Sequence, residues 1–167
     1  MIDKYQLGRD GELLVAAYYK QTGHVVKKSK DEYDAVKDMT IDGMETEIKT
    51  QTLYRNFTSI GNVVQPAFTV DIAADNGKVY SNQLNKCMNV EKLIFVKRSS
   101  VEDLFVRIYE APKLGERKFS VIKNKRDGRY VAGFLLKDMI EIAAIDKPHI
   151  VKHFMDEYRS NTYAERV

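Results

Sequence analysis

Two carboxylates and a lysine in the first third of the chain have the residue types and the spacing needed to act on a phosphodiester. Asp34 is followed by Glu47 and then, two residues later, by Lys49. Side chains two apart in a strand point to the same side, so Glu47 and Lys49 should share a face. Neighbouring carboxylates repel each other unless a divalent cation lies between them, and Mg²⁺ favours such oxygen ligands and also binds phosphate. A lysine beside that cation can orient the attacking water and offset charge on the phosphate.

The elements that would position these residues follow from periodicity and turn residues. Apolar residues at helical spacing predict a helix over 7–21 that ends before Gly23. Asp34 falls in a strand predicted over 33–37, and a tight turn at Asp42-Gly43 leads into a strand predicted over 45–51. Such a hairpin would bring Asp34 beside Glu47.

The rest of the chain predicts a mixed α/β order. The further predicted elements are a short strand over 24–26, a long excursion over 52–76 with one or two short strands, a helix over 79–88, paired strands over 92–97 and 104–109, a hairpin of 117–122 and 129–134 around Asp127-Gly128, and helices over 136–144 and 148–163. The order favours one domain over 1–167, with a mixed central β-sheet flanked by helices, an additional β-hairpin and C-terminal helices.

Charge is distributed unevenly along the chain. The net charge is +3, but residues 84–167 hold 17 Lys and Arg against 12 Asp and Glu. The excess is concentrated between Lys113 and Arg129, where the turn of the predicted hairpin carries the cations Lys123, Lys125, Arg126 and Arg129. An acidic half joined to a basic half suits a metal-using enzyme that acts on a polyanion, although a charged, solvated hairpin has the same composition.

The remaining composition favours an intracellular protein. Cys87 is the only cysteine, so no internal disulfide can form, and a reducing, cytoplasmic location is expected. No stretch has the ~20 consecutive apolar residues that a membrane helix needs. We therefore expect no membrane partner.

The acidic residues and the lysine resemble the D…(D/E)-x-K motif of the PD-(D/E)XK nuclease superfamily. The segments concerned are Tyr33-Asp34-Ala35-Val36 and Glu47-Ile48-Lys49-Thr50-Gln51. The preceding Gly8-Arg9-Asp10-Gly11-Glu12 resembles the helix that carries a glutamate in archaeal Holliday-junction resolvases of that superfamily. The similarity covers roughly residues 7–51, and the proline of the family's name is missing before Asp34.

The resemblance implies a restriction-endonuclease-like fold and a role for each residue. Asp34 and Glu47 would bind Mg²⁺, or Mn²⁺ in its place, together with the main-chain carbonyl of Ile48. Lys49 would serve the attacking water, and Glu12 would lie near the metal. Gln51 would hold the substrate strand or support the site.

The resulting hypothesis is a metal-dependent endodeoxyribonuclease acting on duplex or branched DNA. It includes structure-selective enzymes of recombination and repair and restriction-like or homing enzymes, and a junction-cleaving enzyme would be a homodimer. The alternative is a non-catalytic nucleic-acid-binding or assembly protein that keeps the nuclease fold, since Glu-x-Lys pairs are also common on solvated strand faces.

Secondary candidates for nucleic-acid contact lie outside the motif. They are Arg55, next to Tyr54 in the excursion, and the four cations Lys123, Lys125, Arg126 and Arg129. Tyr54 would stack on a base or else pack the excursion onto the core. His149 and His153 share a helical face but lack a third metal ligand, and His24 is expected to be a strand residue rather than a general base.

Overall fold

Ten strands and two helices are formed in the part of the chain that the computed structural model describes. That part comprises residues 4–28, 39–58, 64–72, 82–98, 106–123 and 130–145, with Lys152, His153 and Asp156. The elements are α1 (Lys4–Gln21), β1 (Val26–Lys28), β2 (Met39–Ile41), β3 (Met44–Gln51), β4 (Arg55–Thr58), β5 (Val64–Asp71), α2 (Asn82–Asn89), β6 (Lys92–Arg98), β7 (Val106–Glu110), β8 (Ser120–Lys123), β9 (Tyr130–Leu135), a 3-10 helix (Leu136–Asp138) and β10 (Ile140–Ile145).

The strands form two sheets. The six-stranded sheet has the order β1-β2-β3-β6-β7-β10, in which β3 and β6 are parallel and the other neighbours are antiparallel. The four-stranded sheet is antiparallel and has the order β4-β5-β9-β8. The expected mixed α/β class with a mixed sheet is therefore confirmed, and the excursion and the basic hairpin together supply the second sheet.

The six-stranded sheet separates two apolar cores. On one face Ile48, Ile94 and Ile108 pack against α1. On the other face Phe95 and its neighbours pack against the four-stranded sheet and α2. Because successive residues of a strand point to opposite sides, the strands of the six-stranded sheet contribute apolar residues to both cores. The site-bearing strand β3 lies in this central layer.

A two-residue turn sets the register of β2 and β3. Asp42 and Gly43 both have positive φ, at 52° and 81°, which a tight hairpin turn requires and which glycine adopts without steric cost. The turn pairs Met39 with Thr46 and Ile41 with Met44. The predicted Asp42-Gly43 turn and the strand that follows it are confirmed.

Most predicted elements agree with the structure to within a few residues. The helix over 7–21 begins three residues earlier, and the strand over 24–26 is shifted to Val26–Lys28. The excursion contains two strands, and the strands near 92–97 and 104–109 pair as expected. The helix over 79–88 corresponds to Asn82–Asn89 within the described residues. The strand predicted over 33–37, which contains Asp34, lies outside them.

The helix predicted over 136–144 is wrong. Only Leu136–Asp138 forms a short 3-10 helix, and Ile140–Ile145 is a strand that pairs with β7. The pairing shifts register between Glu141 and Ala143, so Ile142 and Ala143 both pack against the core beside α1. A bulge of this kind breaks the alternation of apolar and polar residues, and the apolar pairs that result imitate helical spacing.

The predicted C-terminal helix over 148–163 lies almost wholly outside the described residues. Lys152, His153 and Asp156 are helical. Within the described part of the chain, no helix combines the length and the apolar character needed to cross a membrane.

Candidate active site

Strand β3 presents Glu47 and Lys49 on the face opposite to α1. Its intervening residue, Ile48, is buried in the core beside α1, and Thr50 also turns towards that helix. In the parallel pairing with β6, Glu47 lies beside Leu93 and Lys49 beside Phe95, two residues that border the second core. The alternation predicted from the sequence therefore places the acid and the lysine together.

Glu47 is a buried carboxylate whose charge is offset by its neighbour. Only 1% of the residue is exposed, and its Oε1 lies 3.0 Å from Nζ of Lys49. An isolated carboxylate in such a place is strongly disfavoured, because it has left water without gaining a countercharge. The half-buried lysine supplies a countercharge.

Helix α1 approaches β3 unusually closely beside this pair. A Cβ added to Gly11 would lie 1.8 Å from Oγ1 and 3.0 Å from Cβ of Thr50, the residue after Lys49. Only glycine permits this separation of helix and strand. The half-buried Glu12 is the next residue of α1, the helix that packs against the face of β3 opposite to Glu47 and Lys49.

A buried ion pair fixes the same part of α1 to β6. Asp10 and Arg98 are 4% and 2% exposed, and Oδ2 of Asp10 accepts a hydrogen bond from Nη1 of Arg98 at 3.0 Å. Charged hydrogen bonds of this kind are directional, and the loss of one partner would leave the other as a buried charge. Together with Gly11, the pair sets the position of Glu12 over the sheet.

Gln51 joins the two sheets at the end of β3. Its Nε2 donates to the carbonyl oxygen and the hydroxyl of Thr69, and its Oε1 accepts from the Thr69 backbone N–H at 3.1 Å. Strand β4 pairs with β5 only as far as Ala67, so the side chain of Gln51 occupies the place of the next strand residue beside Thr69. Sequence reasoning assigned Gln51 to substrate or site support, and the structure places it in a contact between strands.

The metal-ligand set predicted from the sequence is described only in part. Glu47 and the Ile48 main chain are placed by β3, whereas Asp34 lies outside the described residues. Among the described residues, no three or more His, Cys, Asp or Glu side chains come together as a metal-binding group. His153 is exposed, and His149 is outside the described range.

Two of the five candidate nucleic-acid contacts lie on the four-stranded sheet within the described residues. Arg55 is exposed at the start of β4, and Lys123 is the last residue of β8. Lys125, Arg126 and Arg129 lie outside the described residues. Tyr54 packs edge-on against Phe68, so the packing alternative holds for this side chain.

Arg117 belongs to the basic segment in sequence but not to its surface. It is 7% exposed and donates to the carbonyl oxygens of Pro112, Cys87 and Glu91 at 2.7, 2.8 and 2.8 Å, and also to that of Val90. Several of these carbonyls belong to or follow the last turn of α2, where helix carbonyls lack partners within the helix. Arg117 is therefore a helix cap, which no local sequence signal indicates.

Two other titratable residues are structural. Cys87 is fully buried in the second core. His24 lies just before β1 and contacts Oδ2 of Asp42 through Nδ1 at 2.6 Å. This contact closes the β1–β2 end of the sheet.

Comparison with known proteins returned no relative: no family model, no curated protein and no solved structure matches this chain.

Proposed function

We propose that this chain is a metal-dependent nuclease that hydrolyses DNA phosphodiester bonds, with its active site on β3. The observation that carries the proposal is the buried Glu47 carboxylate held 3.0 Å from the Lys49 ammonium on one strand face. A buried acid–lysine pair adds little to stability relative to apolar residues of the same size. Its presence on a central strand is better explained by chemistry than by folding.

The arrangement around the pair also fits the proposal. The antiparallel β2–β3 hairpin and the parallel strand β6 belong to one mixed sheet. Helix α1 packs against the face of this sheet that is opposite to the acid and the lysine. A restriction-endonuclease-like fold would place its acidic residues on such a hairpin. Glu12 follows Gly11, whose missing side chain allows α1 to approach Thr50, the residue after Lys49.

The donor chemistry of Glu47 fits Mg²⁺. A carboxylate on a rigid strand is a hard oxygen ligand, and a cation would help to offset the buried charge that Lys49 faces at 3.0 Å. Asp34, Glu47 and the Ile48 carbonyl would hold Mg²⁺ or Mn²⁺. When bound, the metal supplies Lewis-acid stabilisation of charge on the phosphate oxygens.

The chain's own residues would do the rest of the chemistry. Nζ of Lys49 would donate a hydrogen bond to the attacking water and so orient it towards the phosphorus, and its charge would stabilise the negative charge that grows on the phosphate. Glu12 would lie near the metal and support the site. No covalent intermediate with the protein is required.

A calorimetric titration with Mn²⁺ separates this enzyme from a nucleic-acid-binding protein that only keeps the fold. The wild-type protein is expected to bind Mn²⁺, and Glu47→Gln is expected to abolish or strongly weaken binding because the neutral amide is a poor ligand. Glu45→Gln is the matched control, since Glu45 lies on the same strand and the same face. Equal binding by the Glu47 variant, or loss through Glu45 instead, would contradict the assignment.

The type of DNA cleaved is a separate question that solution mass addresses. A junction-cleaving enzyme makes two symmetric cuts and needs a two-fold dimer. A monomer would favour the restriction-like or repair forms. A cleavage screen over duplex, single-stranded, flap and four-way DNA would then identify the substrate.

A further inference from the structure

Two cations lie opposite each other at the rim of the six-stranded sheet, one step beyond Lys49. The parallel register places Gln51 beside Lys97, and the antiparallel register places Lys97 beside Arg107. Both cations are two residues along their strands from core residues of the second face, Phe95 and Tyr109, and therefore point to the face of Lys49. We call Lys97 and Arg107 the rim cations.

One of the rim cations, Lys97, contacts a tyrosine ring. Nζ of Lys97 lies 5.7 Å from the ring centroid of Tyr54, within the range of a cation–π contact. The Tyr54 hydroxyl in turn lies 2.8 Å from that of Tyr109. Burial and this hydrogen bond raise the pKa of Tyr54 well above its ordinary value. The ring of Tyr54 therefore lies against the end of the Lys97 side chain.

The rim cations are electrostatically suited to an anionic ligand. Like charges placed directly across two strands weaken a sheet by a few tenths of a kcal/mol or more, unless something negative lies near both. Glu141 forms an ion pair with Arg107 at 2.6 Å, but the side chains of Arg107 and Glu141 are 36% and 40% exposed. Exposed ion pairs of this kind contribute only ~0–1 kcal/mol to stability. A phosphate could therefore share or replace Glu141 at little cost.

We infer that Lys97 and Arg107 bind the phosphodiester backbone of a nucleic-acid strand next to the phosphate held at Lys49. The inference rests on the proposed nuclease function and assigns it a substrate contact that lies on the central sheet rather than on the basic hairpin. Lys97 lies on β6, the strand next to that of Lys49, two residues beyond the residue that pairs with Lys49. These steps are ~7 Å and ~5 Å, a scale suited to adjoining groups of one strand.

Binding without catalysis tests the inference. Fluorescence anisotropy with labelled duplex DNA, single-stranded DNA and RNA, in EDTA and over a range of salt, gives both the affinity and its salt dependence. Each lost phosphate contact lowers the slope of log K against log salt by ~0.9 for duplex and ~0.7 for single strands. Lys97→Ala and Arg107→Ala are each expected to weaken binding severalfold and to lower the slope by ~1, while Arg107→Lys retains the slope.

The matched control is Lys92→Ala. Lys92 lies on the same strand as Lys97 and also sits over a tyrosine ring, that of Tyr19, at 5.2 Å, but it points to the α1 face and pairs with Glu110. It should leave the affinity and the slope unchanged. Circular dichroism and a thermal melt establish that each variant is folded.

The outcomes separate this inference from the proposed function. Wild-type affinity and slope in Lys97→Ala and Arg107→Ala would overturn the rim contact, and if Mg²⁺-dependent cleavage persists, the nuclease proposal stands. A weaker affinity with an unchanged slope would also overturn it, because the change would then be structural. Absence of binding to all three nucleic acids would overturn it as well, and the cleavage assay alone would then decide the nuclease proposal.

Discussion

At the residue scale, the spacing of Glu47 and Lys49 carries more information than their burial. Strand alternation predicts that the two side chains share a face, and the structure places their charged atoms 3.0 Å apart. That Glu47 is almost fully buried could not be predicted, because its burial depends on elements that come later in the chain. The capping role of Arg117 could not be predicted either, because three of its four hydrogen bonds are to residues 26 to 30 positions away in the sequence.

Substitution of Arg117 should affect stability and not nucleic-acid binding. Arg117→Ala and Arg117→Lys are each expected to lower the free energy of unfolding by about 3 kcal/mol, because buried carbonyl groups lose charged hydrogen bonds and one ammonium cannot reach all of them. Chemical denaturation measures the loss. A variant as stable as the wild type would contradict the capping role, and the exposed Lys118→Ala serves as the control.

The Asp42 contacts should stabilise the protein at neutral pH and lose this contribution in acid. The hydrogen bond with His24, followed by that from the Val25 backbone, lowers the pKa of Asp42 from its ordinary 3.8. A carboxyl whose pKa is lowered by folding stabilises the protein above its unfolded pKa, and this contribution is lost as the pH falls through the folded value. Asp42→Asn, which tolerates the same positive φ, should therefore be less stable than the wild type at pH 7, and the difference should disappear as the pH falls through the folded pKa of Asp42. Denaturation at several pH values checks this, and a constant difference at all pH values would refute it.

At the scale of elements, the periodicity of apolar residues and the turn residues were sufficient to predict most strands and α1. The failure at Ile140–Ile145 has a specific cause, a bulge that places two successive residues on one face and makes a strand resemble a helix. The freed carbonyl of Ile142 accepts a hydrogen bond from the Tyr18 hydroxyl at 3.1 Å, a contact 124 residues apart in sequence. The local sequence around Ile142 does not indicate a hydrogen-bond partner so far away in the chain.

The contact between α1 and β3 gives a sharp prediction with an internal control. Gly11→Ala should lower the free energy of unfolding by about 1–3 kcal/mol, because rotation of Thr50 cannot remove its Cβ from a position 3.0 Å from the new methyl group. Gly8→Ala, in the same helix, meets no atom within 4 Å and should stabilise the protein by about 0.5–1 kcal/mol. Denaturant titration of both variants is the measurement, and equal effects would refute the close approach.

At the scale of the whole molecule, the mixed α/β fold class could be predicted from the sequence, but the packing of two sheets against each other could not. The order of elements predicts a mixed α/β domain, but the excursion and the basic hairpin pair through β5 and β9, whose contacts join residues 67–71 to 131–135. That pairing places a second sheet against the face of the six-stranded sheet that carries Glu47 and Lys49. Long-range strand pairing depends on burial across the molecule, which a single sequence does not specify locally.

The central claim is that Lys49 and its acid partner cleave DNA, and plasmid and branched-DNA cleavage with Mg²⁺ or Mn²⁺ tests it most directly. The wild type should cut at least one substrate, and Lys49→Ala should lose about 10²-fold or more of the rate because the water and the phosphate lose a positioned cation. Lys92→Ala is the control, a half-buried lysine that is likewise paired with a glutamate, at 3.2 Å. Equal cleavage by Lys49→Ala, or no cleavage of any nucleic acid by the wild type, would contradict the claim.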